Sequence, residues 1–267
     1  MFSGVVAKAT TSVSKDKLAR RIQTYIQGLV NRYGDAVDHW DVVNEALDDG
    51  ENIWRDSGWR KIFGGSDFLV EAFKAARAAD PDALLIYNDY RCELPGKREK
   101  LFELIDYLKE NNTPIDAIGL QGHYELGSVP YEDLQLTLDE IRKRGLKVVI
   151  SEVDIDVVTR SKWWDDGGKH RKELANYNPY PICPPEIKQQ LAEEYGKLFD
   201  VYAKNADVVE RVTLWCLHDG TSWLNNFPWQ RDNHPLLFDR DLNRKPAYHA
   251  VIKSLKKYSK ADAESDH

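Results

Sequence analysis

The chain has 267 residues, 42% hydrophobic and 30% charged, with a formal net charge of −7. That describes an acidic globule large enough for an α/β barrel of about 250 residues, with no basic surplus that would ask for nucleic acid or an anionic membrane. No apolar run reaches the roughly 20 residues of a transmembrane helix, and three scattered cysteines, Cys92, Cys183 and Cys216, make neither a disulfide framework nor a zinc motif.

The opening "MFSGVVAKATTSVSKDK" has too short an apolar core for a secretory signal, which fits either a cytoplasmic chain or one whose leader lies outside this sequence. "SKDKLARRIQTYIQGLVNRYG" reads as a helix: Ser14 is an N-cap, Leu18, Ile22, Ile26, Leu29 and Tyr33 share a face, and Gly34 ends it. The strand "WDVVNE" follows. The same alternation then recurs: helix "DFLVEAFKAARAAD" to strand "ALLIYND", helix "KREKLFELIDYLKENN" to strand "IDAIGLQGHY", helix "YEDLQLTLDEIRKRG" to strand "KVVISEVDIDV", and helix "PEIKQQLAEEYGKLFDVYAKN" to strand "RVTLWCLHDG". The helix "PAYHAVIKSLKKYS" closes the pattern before a charged tail, from about residue 258, expected to fray.

Five apolar strands alternating with helices predict an α/β fold with a parallel sheet covered on both faces. No linker or composition break divides residues 1–267, so a single domain is expected. The stretch "VTRSKWWDDGGKHRKELANYNPYPICPP" is too long for a mere connection and reads as a functional loop.

Polar residues gather at the C-terminal ends of the strands: Asn44 and Glu45, Asn88 and Asp89, Gln121 and His123, Glu152 and Asp154, then Trp215, His218 and Asp219. In parallel α/β folds that edge binds ligands. Glu45 and Glu152 end different strands on one predicted face, and a carboxylate pair can divide acid and nucleophile roles in glycoside hydrolysis. The same carboxylates could instead cap helices or pair with arginine. His123 could tune Glu152, with Asp154 behind it, although a lone histidine is more often a satisfied polar group and Asp154 could cap the following loop. Trp215 and Trp223 offer flat faces for a pyranose, or simply core. The excess of 8 Trp and 13 Tyr over 1 Met suits either reading. A metal-dependent hydrolase built on "DIDVV" and "WWDDGG" finds no metal-ligand spacing to support it.

"WDVVNEAL", "YNDY", "GLQGH", "VVISEVDI", "DGTSWLNNFPW" and "PLLFDRDLNRKPAYHAVI", in this order, resemble glycoside hydrolase family 10, the endo-β-1,4-xylanases, from about Ser14 to Lys257. The resemblance implies a (β/α)8 TIM barrel of retaining enzymes acting on xylan and xylo-oligosaccharides without cofactor or metal. Carried over by motif, Glu45 is the general acid/base and Glu152 the nucleophile. Asn44 holds a sugar 2-hydroxyl, Gln121 and His123 belong to the motif that lines the site and bonds the nucleophile, and Trp215 and Trp223 wall the glycone side. Tyr90 matches a substrate-side aromatic, although Arg91 stands where the family usually has Asn.

The five strands match the fourth to eighth of the family barrel, so an N-terminally truncated barrel of five βα units is expected. Open edges at "WDVVNE" and "RVTLWCL" would leave a partial barrel, a homo-oligomer pairing its edges, or a fragment that needs the absent segment. Lost sugar contacts would weaken xylanase activity, or leave a remnant that only binds xylo-oligosaccharides.

Overall fold

The computed structural model describes residues 13–265; most of the opening segment considered above as a secretory signal lies outside the described residues. The chain forms two compact units. One runs to Gln121 and includes Leu136–Val149; the other holds Gly122–Gln135 and the chain from Ile150 onward.

In the first unit, helix α1 (Lys15–Tyr33) begins as its sequence dictates: the Ser14 hydroxyl accepts from the Lys17 amide at 3.3 Å. Leu18, Ile22 and Ile26 are buried, while Tyr33, expected on the same face, is exposed. Strand β1 (His39–Asn44) leads through helices α2 (Gly58–Phe63) and α3 (Asp67–Ala79) to β2 (Leu84–Asp89), then through α4 (Lys97–Glu110) to β3 (Ala117–Leu120). These strands pair in parallel in the order β1-β2-β3. Almost every residue of β2 is buried, the signature of a strand covered on both faces. Ile86, Ala117 and Val149 form a fully buried cluster at its centre.

Two departures from the sequence pattern occur here. The first strand ends at Asn44, one residue short of expectation, because Glu45 adopts a left-handed backbone with φ 59°. Helix α2 is additional; its six residues are too few to show a period, though Ser57 caps it by accepting from the Arg60 amide at 3.2 Å.

The expected strand "IDAIGLQGHY" breaks at Gly122, whose φ is 78°, so that β3 ends before it and β4 (His123–Glu125) begins after it. The described residues therefore carry six strands rather than five. Helix α5 (Tyr131–Lys143) leads to β5 (Lys147–Asp156). In the second unit β4 pairs in parallel with β5, His123 opposite Asp154, and β6 (Val209–Leu214) pairs with β5 as well. The long loop after β5 holds two short 3-10 turns and helix α6 (Arg171–Leu174), and Trp163 from it stacks on Trp229 with ring centroids 5.4 Å apart. Helices α7 (Pro185–Lys204) and α8 (Pro246–Ser265) pack together, the Ser254 hydroxyl donating to the Gly196 carbonyl at 2.9 Å. α8 continues to Ser265, through the charged stretch expected to fray.

Candidate active site

Glu45 projects from a strained position. A left-handed φ is uncommon for a residue with a Cβ, and the surrounding hydrogen bonds hold it there: the Glu45 amide donates to the Asn88 carbonyl at 2.9 Å, and the next two amides donate to the Tyr87 hydroxyl at 3.0 and 3.2 Å. That hydroxyl donates in turn to the buried Asp89 carboxylate at 2.6 Å. The Glu45 carboxylate receives Gln121 Nε2 on Oε1 at 3.1 Å and Arg55 Nη1 on Oε2 at 3.2 Å. Asn44 lies beside it, its Oδ1 accepting from Asn88 at 3.1 Å and Gln121 at 3.3 Å. Glu45 and Arg55 also border a cavity of about 320 Å³ whose apolar lining includes Ile22, Ile26, Val42 and Phe68.

The expected substrate-side aromatic, Tyr90, is held among charges. Its hydroxyl accepts from Arg55 Nη2 at 2.6 Å and donates to Asp49, while the Lys97 ammonium lies 3.4 Å from its ring centroid. Lys97 also pairs with Asp49 at 3.0 Å and Asp89 at 2.9 Å. Part of the Tyr90 ring surface is thus taken by a cation.

Glu152 lies inside β5, four residues before the strand ends at Asp156, in a drier setting. Its Oε2 is 3.3 Å from His123 Nε2, and His123 Nδ1 is 2.9 Å from Asp154 Oδ1. The other oxygen of Asp154, fully buried, accepts the Trp223 indole N–H at 2.7 Å. Burial alone would push the His123 imidazole down, but Asp154 and then Glu152 outweigh it and raise its pKa to about 9. At neutral pH both ring nitrogens therefore donate, one to each carboxylate. The Trp223 ring lies 5.1 Å and the Trp215 ring 6.4 Å from the imidazole, centroid to centroid.

The expected residues thus fall into two constellations, Asn44, Glu45 and Gln121 with Tyr90 reached through Arg55, and His123, Glu152 and Asp154 with Trp215 and Trp223. Gln121 bonds Glu45 while His123 of the same motif reaches Glu152, the backbone turning at Gly122 between them. Asp219, expected at a strand end, lies in a 3-10 turn beyond β6 and is an internal anchor, buried and gripped by Lys245 Nζ at 2.8 and 3.1 Å. Arg55 is the residue that sequence reasoning missed.

Carboxylates such as Glu45 and Asp89 at the C-terminal ends of parallel strands are the layout of a barrel-class α/β enzyme. The sequence profile of Glycosyl hydrolase family 10 matches residues 4–254. The chain is 38% identical over 242 residues to an endo-1,4-beta-xylanase of Geobacillus stearothermophilus, covering 90% of this chain and 69% of that one. It is 35% identical to a thermostable celloxylanase of Thermoclostridium stercorarium, covering 88% of this chain and 58% of that one. Among solved structures, a xylanase from Paenibacillus barcinonensis in complex with a conduramine derivative superposes with a TM-score of 0.81 at 30% identity, over 90% of this chain and 69% of that one. The chain belongs to glycosyl hydrolase family 10, a family of (β/α)8 barrels, and is a glycoside hydrolase.

Proposed function

We propose that the chain hydrolyses internal β-1,4-xylosidic bonds of xylan by double displacement with retention of configuration. The observation that carries this reading is the Asp154–His123–Glu152 chain: an imidazole whose pKa is raised to about 9 is held by Asp154 on one nitrogen and lies 3.3 Å from Glu152 on the other, which orients that carboxylate as a nucleophile requires. The names of the relatives support the substrate class: curated relatives are endo-1,4-beta-xylanases, and a solved relative at 32% identity is a mutant in complex with xylotriose.

In this mechanism a Glu152 oxygen attacks the anomeric carbon as the bond to the leaving oxygen breaks, and Glu45 gives that oxygen its proton. The product is a glycosyl ester on Glu152. Ionised Glu45 then takes a proton from water, which attacks the same carbon and releases Glu152. Asn44 is suited to the sugar 2-hydroxyl, and Trp215 and Trp223 to the apolar faces of the glycone sugars.

The test is chromophore release from an aryl β-xylobioside by the purified chain and by its Glu152→Ala variant. Release that the substitution abolishes supports the reading. Bound xylo-oligosaccharide without release by the unmutated chain replaces it with a carbohydrate-binding role.

A further inference from the structure

Ten residues after Glu45 the chain returns to it. The loop that follows β1 doubles back as a short antiparallel ladder: Leu47 bridges Trp54, the Asp48 amide donates to the Ile53 carbonyl at 2.9 Å, and the Arg55 amide to the Ala46 carbonyl at 2.8 Å. The fold-back delivers one side chain to the carboxylate. Arg55 Nε donates to the Leu47 carbonyl at 3.3 Å, which anchors the guanidinium, and the two terminal nitrogens diverge, Nη1 to Glu45 at 3.2 Å and Nη2 to the Tyr90 hydroxyl at 2.6 Å, with Asp49 Oδ2 3.5 Å away.

We propose that Arg55 is a positioning residue for the proton transfers of Glu45, serving the step in which that carboxylate is ionised and withdrawing from it in the step in which it is protonated. This rests on Glu45 being the acid/base group. The geometry gives the reason. A guanidinium is a cation with donors and no acceptor, so its bond to Glu45 Oε2 is strong while the carboxylate is ionised and weak once that oxygen is a hydroxyl. Oε1 receives Gln121 and Oε2 receives Nη1, so a proton carried on Oε2 is the one that meets the guanidinium. As Oε2 takes up that proton the Nη1 contact loosens. Asp49 and Tyr90, already bonded to the same guanidinium or within 3.5 Å of it, hold its charge meanwhile. When Glu45 has given up its proton, Nη1 returns, fixing the carboxylate oxygen that next accepts a proton from water. Tyr90, expected as a substrate-side aromatic, shares the same arginine and so couples its side of the site to Glu45.

The test compares two substrates that differ in their need for an acid: an aryl β-xylobioside with a 2,4-dinitrophenyl leaving group, which departs without protonation, and xylotetraose, which does not. Because the bond is made while Glu45 is ionised, the Arg55→Met chain should be slowed in the second, base-assisted step: on the dinitrophenyl substrate kcat should fall about 10-fold to 100-fold with KM lowered alike as the glycosyl-enzyme accumulates, while kcat/KM should change by less than about 3-fold on either substrate. Arg55→Lys, which keeps a movable cation, should restore part of the loss in kcat. Glu45→Ala, run alongside, should lose kcat/KM on xylotetraose far more than on the dinitrophenyl substrate. A loss of kcat/KM by Arg55→Met that matches its loss of kcat, or no loss of kcat, while Glu45→Ala still discriminates, would overturn the role of Arg55 alone. Absence of discrimination by Glu45→Ala, or no turnover by the unmutated chain, would overturn it together with the assignment of Glu45.

Discussion

The surroundings of Glu45 and Glu152 differ in kind. Glu152 is backed by a hydrogen-bonded chain, His123 then Asp154 then Trp223, anchored on the fully buried Asp154 carboxylate. Glu45 stands on a left-handed residue at the mouth of a loop and is contacted by an amide and by an arginine with a second set of partners. A nucleophile profits from one constant ionised state, whereas an acid/base group must change its protonation twice per turnover. A rigid buried relay suits the first and an exchangeable counter-ion the second.

The strongest way to break this comparison is to remove the carboxylate said to bond the sugar. Glu152→Ala should lower kcat on an aryl xylobioside by on the order of 10⁴-fold or more, and added azide should restore turnover while giving the glycosyl azide of inverted configuration. Retained activity would mean that Glu152 is not the nucleophile.

Removing the middle of the relay should be costly for the fold. His123→Ala leaves Asp154 and Glu152 facing each other without their shared cation, and breaking such a buried pair costs about 3–5 kcal/mol; chemical denaturation should register it as a lowered midpoint. A loss within experimental scatter would show that the relay is not held by charge.

On the Glu45 side a smaller effect tests packing. Gly119 faces Asn88, and a Cβ there would lie 2.3 Å from Asn88 Oδ1. Gly119→Ala should therefore displace the side chain that donates to Asn44 and cost about 1–3 kcal/mol. Activity should fall with it, and an unchanged melting temperature would contradict the packing argument.

The mildest effect is on pH dependence. Because the folded pKa of His123, about 9, lies above its ordinary value of 6.5, its contribution to stability is full below about pH 6.5 and is lost as pH rises through about 9. The unfolding free energy of the unmutated chain should decline across that window more steeply than that of His123→Gln. Parallel curves would mean that the imidazole is not the linked group.

These residues also show how much the sequence carried. Periodicity located the strands that end at Asn44, Asp89 and Asp156 because buried parallel strands write continuous apolar runs into the chain. The carboxylate ends were legible for the same reason, since a Glu directly after "DVVN" has nowhere to go but the strand edge. The break at Gly122 was written only as a glycine, and nothing in a two-residue period distinguishes a bent strand from a straight one. Arg55 was harder still. Its role depends on the antiparallel bridge of Leu47 to Trp54, a pairing of irregular loop residues with no period at all. The polar strand end of Asp219 misled in the opposite direction: only the buried ammonium of Lys245, 26 residues on, shows that it is an anchor.

The account stands or falls on the division of labour between the two glutamates. The most direct measurement is to incubate the chain with a 2-deoxy-2-fluoro-β-xylobioside bearing a dinitrophenyl leaving group, which forms the glycosyl-enzyme but hydrolyses it slowly, and to map the labelled peptide by mass spectrometry. The account predicts one label, carried as an ester on Glu152. A label on Glu45 or another residue, or steady turnover of ordinary substrate with no covalent adduct, would contradict it.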